Sequence, residues 1–275
     1  MYNHRSLGWI NFAAVSTYHE WLVIHSNFHF PDHQAECYKR KNMKILVTGA
    51  SSGVGFEAVL ELISNNEHEV IAIARSQDKL RRLYEIANGL NPSCKLYPAK
   101  FDIVHDDYSS LVQFVETKVG KLDILINNAG ALINKPFNEL TQIDFAEMLQ
   151  SNLLGHVKMI QHMLPLLSAE SHVVNIGSMG GFSGSVKFAG LAAYSASKAA
   201  LHTLTECLAL EYAESGIHFN CLALGSAQTE MLEEAFPGYQ SPVMAFEMGK
   251  YIADFAVNGR KFFNGKVLPV AVTTP

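Results

Sequence analysis

The chain has no block of like charge. Its longest basic run is Lys39-Arg40-Lys41, and its formal net charge is -5. Neither a nucleic-acid groove nor a polybasic membrane patch is expected from such a distribution. No run of about eighteen apolar residues occurs, so no membrane span is expected. Cysteine is scarce: Cys37, Cys94, Cys207 and Cys221 stand apart, with no C-x-x-C pair. This argues against a disulfide framework or a zinc site and for reduced thiols in a cytoplasmic protein. Low-complexity linkers and internal repeats are also missing. A chain of 275 residues, 48% hydrophobic, is long enough for one large α/β domain and short for two.

Residues 1–42 differ from the rest. They hold both tryptophans, Trp9 and Trp21, and five of the twelve histidines. Leu7 to Ile24 is apolar, but Asn11, Ser16, Thr17, His19 and Glu20 interrupt it and no A-x-A site follows, which argues against a signal peptide. His25, His29 and His33 have helical spacing, yet Pro31 breaks that helix, so no metal site is expected. The segment reads as an N-terminal extension, poorly ordered or non-native, with Met43 as the natural start. Residues 43–275 then form a single domain.

From Lys44 onward, short apolar runs alternate with amphipathic segments. Strands are predicted at Lys44–Thr48, Glu69–Ala74, Lys95–Lys100, Ile124–Asn127, His172–Ile176, His218–Ala223 and Lys266–Val270. Helices are predicted at Phe56–Ser64, Lys79–Asn88, Tyr108–Val119, Asp144–Leu167 and Ala192–Ala213. Continuous Val/Ile/Leu strands separated by helices imply a parallel sheet covered on both faces. Right-handed crossovers make it a doubly wound α/β sheet of about seven strands.

Between the first strand and first helix lie Gly49, Gly53 and Gly55. Glycine there permits positive φ and close approach of a ligand to the backbone. The helix that follows points free N–H groups and its positive dipole end at the same spot, an arrangement that fits a pyrophosphate. Further on, Tyr194 and Lys198 stand four apart on a predicted helix and so project from one face. Tyr194 alone among the ten tyrosines has a lysine at that distance. A free phenol has a pKa of about 10, and a nearby ammonium is expected to lower it toward a useful acid–base range.

The stretch Thr48-Gly-Ala-Ser51-Ser52-Gly53-Val54-Gly55 resembles the cofactor motif of the short-chain dehydrogenase/reductase family, in its single-domain branch with a Rossmann fold. Asn127-Asn128-Ala129-Gly130 is similar to the family's N-N-A-G segment, and Tyr194-Ser-Ala-Ser-Lys198 to its Y-x-x-x-K motif. The matches run from about Lys44 to Val270, in the family's order. The resemblance implies an oxidoreductase that passes a hydride between a nicotinamide cofactor and a carbonyl or alcohol. It places Ser51, Ser52 and Val54 with the three glycines at the cofactor, Asp102 and Ile103 at adenine, and Asn128, Ala129 and Gly130 at ribose. It places Gly225 and Thr229 at the nicotinamide end and makes Tyr194, Lys198, Ser178 and Asn152 catalytic, with Asn152 interrupting its helix. No acid ends the second strand. Arg75 and Ser76 stand there instead, suited to a 2′-phosphate, so NADP is preferred over NAD.

The chain also departs from the family's pattern. Gly177 stands where a first serine is usual, Leu224 where a proline is usual, and the stretch from Ser178 to Tyr194 is about three residues long for the family, the excess lying in Ser183–Gly190. Thr229–Lys250 is expected to be a short lid, with Met231, Leu232, Phe236, Tyr239 and Met244 as apolar contacts and Pro237-Gly238 as a hinge. Met159, Met163, Leu201 and Leu208 lie on helices that resemble the family's subunit contacts, and they serve either a partner or the core; a homodimer or homotetramer is expected. The reading is a carbonyl reductase using NADP(H). The alternatives are an NAD-linked alcohol dehydrogenase of the same family and a non-catalytic NADP(H)-binding sensor or scaffold.

Overall fold

The computed structural model describes residues 42–64 and 68–272. The expectations for the N-terminal extension, including Trp9, Trp21 and the histidines before Met43, lie outside the described residues or at their edge.

Seven strands form one sheet in the order β3-β2-β1-β4-β5-β6-β7. They are β1 Met43–Thr48, β2 His68–Ala74, β3 Lys95–Lys100, β4 Leu122–Asn127, β5 Leu167–Ser178, β6 His218–Leu224 and β7 Lys266–Val270. Every neighbouring pair is parallel. The strand order reverses between β1 and β4, and the crevice beyond the carboxyl ends of these strands is where doubly wound sheets take their ligands.

Strand side chains alternate between two cores. Ile45 and Val47 of β1 face one, with Val70, Ile124, Ile126 and Val174. Leu46 faces the other, with Ile71, Leu125, Val173 and Phe219. Helices α1 (Gly53–Ile63) and α2 (Gln77–Leu90) cover the first core through Val59, Leu62, Leu80 and Leu83. Helix α3 (Tyr108–Val119) covers the second through Leu111 and Val115.

The helix predicted over 144–167 is divided. Helix α4 spans Gln142–Leu149, a π-helical turn follows at Gln150–Leu154, and α5 spans Gly155–Met163. Leu167 then opens β5 rather than closing a helix. The π-turn has its own hydrogen bond, from the Gly155 N–H to the Gln150 carbonyl five residues back. A contact far along the chain, from Asn152 to Ala131, accompanies this widening, so helical periodicity alone could not reveal it.

Helix α6 spans Ala192–Glu211, α7 Glu230–Ala235 and α8 Ala245–Asn258. Met159, Met163 and Leu201 are fully buried within this chain, which assigns them to the core; Leu208 is half-buried. Among the described residues no helix is long and apolar enough to cross a membrane. No cluster of three or more metal-ligating side chains occurs among them either.

Candidate active site

The turn after β1 is shaped by what its glycines leave out. Gly49 has φ +67, and a Cβ there would lie 2.7 Å from the Ala129 Cα. Gly53 has φ +58 and faces the methyl of Thr229, 3.3 Å from where a Cβ would stand. Gly55 is helical, and a Cβ on it would come within 2.1 Å of the Asn128 amide nitrogen. That amide donates to the Thr48 and Gly49 carbonyls at 3.1 and 3.0 Å. The β1 turn and the β4 loop are thus locked together, with Ser51, Ser52 and Val54 half-buried beside them. Ser52 precedes α1 without a side-chain cap bond, so it does not close the amide end of that helix.

At the end of β2, Arg75 is exposed. The Ser76 hydroxyl accepts from the Lys79 N–H at 3.3 Å and caps α2. Asp102 accepts from the Val104 N–H at 2.8 Å and pairs with His105 at 3.2 Å. Burial opposes its ionisation, but the Val104 amide, His105 and the Arg75 guanidinium outweigh that and hold its carboxyl below the usual range. Ile103 is buried against Gly155.

Tyr194 and Lys198 sit in the first two turns of α6, as their spacing predicts, with Ser178 beside them at the end of β5. Lys198 is buried, and its Nζ donates to the Ile176 carbonyl at 2.7 Å. Burial pushes its pKa down to about 8. The Tyr194 ring keeps some solvent contact, yet the surrounding protein is dense. Burial raises the phenol, and a hydrogen bond from Ser178 opposes the rise. Within the protein alone desolvation is the larger effect on the phenol and Ser178 the opposing one. Ser178 also accepts from the Gly180 N–H at 3.1 Å, capping the short turn Met179–Gly181.

Asn152 is fully buried in the π-turn. Its Oδ1 accepts from the Ala131 N–H at 2.9 Å, and its Nδ2 donates to the Ala131 carbonyl at 3.0 Å and to Ser197 at 3.1 Å. Gly130 lies between it and Lys198: a Cβ there would be 2.8 Å from Asn152 Oδ1 and 3.6 Å from Lys198 Nζ.

The departures from the motif have local reasons. A Cβ on Gly177 would fall 2.3 Å from His202 Nε2 and 2.7 Å from Cys221 Sγ, so no serine fits there. Leu224 ends β6 in register with Ser178 and Val270, and the Gly225 N–H continues the pairing to the Val270 carbonyl at 2.8 Å. The Thr229 hydroxyl caps α7 by accepting from the Leu232 N–H at 3.2 Å.

Sequence reasoning missed how the mouth of the site is held. Asn134 Nδ2 donates to the Ala235 carbonyl at 2.7 Å, and the Lys135 N–H to the Gly190 carbonyl at 3.0 Å. Gly190 has φ +84, and a Cβ on it would meet Asn134 Oδ1 at 1.9 Å. Phe188 stands edge-on to Phe236, ring centres 6.5 Å apart. Three segments, from the loops after β4 and β5 and from α7 after β6, are therefore joined. The sequence signals were the extra length of Ser183–Gly190 and the apolar lid candidate Phe236; the hydrogen bonds of Asn134 and Lys135 had none.

Comparison with known proteins agrees with this geometry. The family model for short chain dehydrogenases matches residues 43–240. An uncharacterized oxidoreductase of Staphylococcus epidermidis is 30% identical over 197 residues, spanning 71% of this chain and 82% of its own. One from Staphylococcus aureus strain MW2 is 31% identical over 188 residues, 67% and 78% of the two chains. Among solved structures, a single-residue variant of actinorhodin polyketide ketoreductase with NADPH has a TM-score of 0.73 at 25% identity, covering 84% of this chain and 96% of its own. A short chain dehydrogenase from Shigella flexneri complexed with NADP has a TM-score of 0.75 at 25% identity, covering 84% and 98%. A glycine turn closed to side chains, a tyrosine–lysine–serine cluster at the carboxyl end of the sheet and these likenesses converge: the chain belongs to the short-chain dehydrogenase family and is an NAD(P)-dependent oxidoreductase.

Proposed function

We propose that the protein is a carbonyl reductase that uses NADP(H) and acts on a small-molecule aldehyde or ketone. The observation that carries this reading is the joint placement of Tyr194, Lys198 and Ser178 at the carboxyl end of the sheet, beside a glycine turn with no room for side chains. That turn supports cofactor binding because every added Cβ at Gly49 or Gly55 would strike Asn128 or Ala129. The exposed Arg75, with no acid at the end of β2, supports NADP over NAD.

Bound NADPH would supply the hydride. Tyr194 gives its phenolic proton to the substrate oxygen. Burial keeps that phenol protonated at neutral pH, the state that reduction consumes. Ser178 donates a hydrogen bond to the same oxygen and stabilises the charge that develops there. Lys198, still largely protonated at pH 7 with its pKa near 8, donates to the Ile176 carbonyl, and its charge would help hold the phenolate that Tyr194 becomes once it has given its proton. Asn152 holds Ala131, and Gly130, without a side chain, leaves the space between Asn152 and Lys198 open. Gly225 and Thr229 would bound the far end of the cleft, where a Cβ on Gly53 would come within 3.3 Å of the Thr229 methyl. Phe188 and Phe236, in edge contact, would flank the substrate.

Residues 43–275 carry all of these groups, and the N-terminal extension is proposed to be dispensable for them. A homodimer or homotetramer in the cytoplasm is part of the same proposal. The test is NADPH consumption across a panel of aldehydes and ketones, with NADH in parallel and Tyr194→Phe as the control. Turnover with NADPH that disappears in the variant supports the reading. Turnover only with NADH points to the NAD-linked alcohol dehydrogenase. Tight NADPH binding with no turnover on any carbonyl supports the sensor.

A further inference from the structure

His156, in the first turn of α5, is fully buried. Its Nε2 lies 2.6 Å from the Ala129 carbonyl oxygen. A carbonyl only accepts, so the ring proton is on Nε2 and Nδ1 is a bare acceptor. Among the described residues Nδ1 has no partner. Burying an unpaired acceptor costs stability, which a leucine here would avoid. Packing alone therefore does not account for a histidine. The hydrogen bond that it makes does.

That bond completes a set. The Thr48 hydroxyl accepts from the Asn128 and Ala129 N–H groups, both at 2.9 Å. Asn152, one turn before His156, holds both polar groups of Ala131. The Ala129 carbonyl lies between these ties, and His156 takes it. The π-turn at Gln150–Leu154 carries Asn152 and runs straight into α5, which carries His156. The start of α5 packs against Ile103, on the proposed adenine side of the cleft. A Cβ on Gly155 would lie 2.7 Å from Ile103 Cδ1, and the Tyr108 hydroxyl contacts the Ile103 and Gly155 carbonyls at 2.8 and 3.2 Å.

We propose that His156 is a positioning residue for the nicotinamide cofactor: by donating to the Ala129 carbonyl it sets the height of the Asn128–Gly130 loop against the cofactor ribose. Burial, and then the charge of Lys198, hold the imidazole neutral with a pKa near 3, so one tautomer persists at neutral pH. The inference rests on the proposed cofactor cleft.

The test uses the full chain and three variants, His156→Leu, His156→Asn and His156→Gln. NADPH dissociation constants, KM for NADPH, kcat and Tm are measured for each. Loss of one hydrogen bond predicts NADPH binding about five- to tenfold weaker in His156→Leu. His156→Asn, too short to reach Ala129, should behave likewise. His156→Gln, which restores a donor, should recover most of the binding even though its Tm also falls. A purely structural role would lower Tm in all three without ordering their affinities by donor reach. Affinity within twofold of the parent in His156→Asn, or equal losses in the Asn and Gln variants, overturns the inference while leaving the cofactor cleft intact. Failure of the parent chain to bind NADPH overturns the cleft and the inference together.

Discussion

Three histidines are buried as neutral imidazoles, and together they make this fold sensitive to mild acid. His172 donates from Nδ1 to the Ala256 carbonyl at 2.9 Å and accepts at Nε2 from Asn220 at 3.0 Å. Protonation would destroy the second bond. His156 and His202 each have a buried ring nitrogen without a partner among the described residues. Burial is the main cause in all three, and it holds His172 and His202 near pKa 4 and His156 near 3. The unfolded value is about 6.5. Each folded pKa lies below it, so the unfolded chain takes up the proton first as the pH falls. The stabilisation is complete above about pH 7 and is lost as pH drops below 6.5 toward the folded value. Between pH 7 and 5 each histidine should cost about 2 kcal/mol, or about 6 for three acting independently. At pH 5 this figure hardly depends on whether the folded value is 3 or 4. Asp102, Asp107 and Asp144 sit below the usual carboxylate range, so their contribution is lost only at lower pH. Lys198 is protonated throughout this window in both states. The assay is urea unfolding followed by far-ultraviolet circular dichroism, since both tryptophans lie outside the described residues. With an m-value of about 3 kcal/mol/M, the midpoint should fall by about 2 M from pH 7 to pH 5. His172→Gln should remove about a third of that dependence. A midpoint that moves by less than about 0.3 M would refute the reasoning.

Gly55→Ala should push the Asn128 amide off Thr48 and Gly49, because the new methyl would stand 2.1 Å from that nitrogen. NADPH binding should weaken at least about tenfold, with a fall in Tm of several degrees; unchanged affinity by calorimetry would contradict the cradle. Arg75→Ala, at an exposed position, should raise KM for NADPH about tenfold or more and leave KM for NADH and Tm unchanged. Equal effects on both cofactors would remove the argument for a 2′-phosphate. Asn134→Ala should release the Ala235 carbonyl and free Phe236 from its place beside Phe188. Faster limited proteolysis near Pro237 and a change of about two- to fivefold in KM for the carbonyl, at constant NADPH affinity, are expected. Unaltered proteolysis would mean that Asn134 does not hold the mouth.

Much of the site was legible because its chemistry is local. The glycine turn, the tyrosine–lysine spacing and Arg75 with Ser76 each lie within a few residues and follow from backbone geometry. The bracket from Asn134 to Ala235 and Gly190 was not legible, because its partners come from three separate segments. Nor was the burial about Tyr194, since how much protein packs around the phenol is not encoded in motif spacing. The reason for Gly177 was hidden for the same cause, since His202 and Cys221 reach it from another helix and strand.

By itself the sequence determined a parallel sheet covered by helices, since continuous apolar strands between amphipathic helices must bury both faces; the motif order pointed to the doubly wound form. It also located the glycine turn and the tyrosine–lysine pair along the chain, since both depend on period and short spacing. Only the tertiary structure decided that the helix over 144–167 breaks at Asn152, that Met159, Met163 and Leu201 belong to the core, and that His156 holds Ala129. These outcomes depend on contacts between segments brought together by folding, where burial and hydrogen-bond demand outweigh local preference.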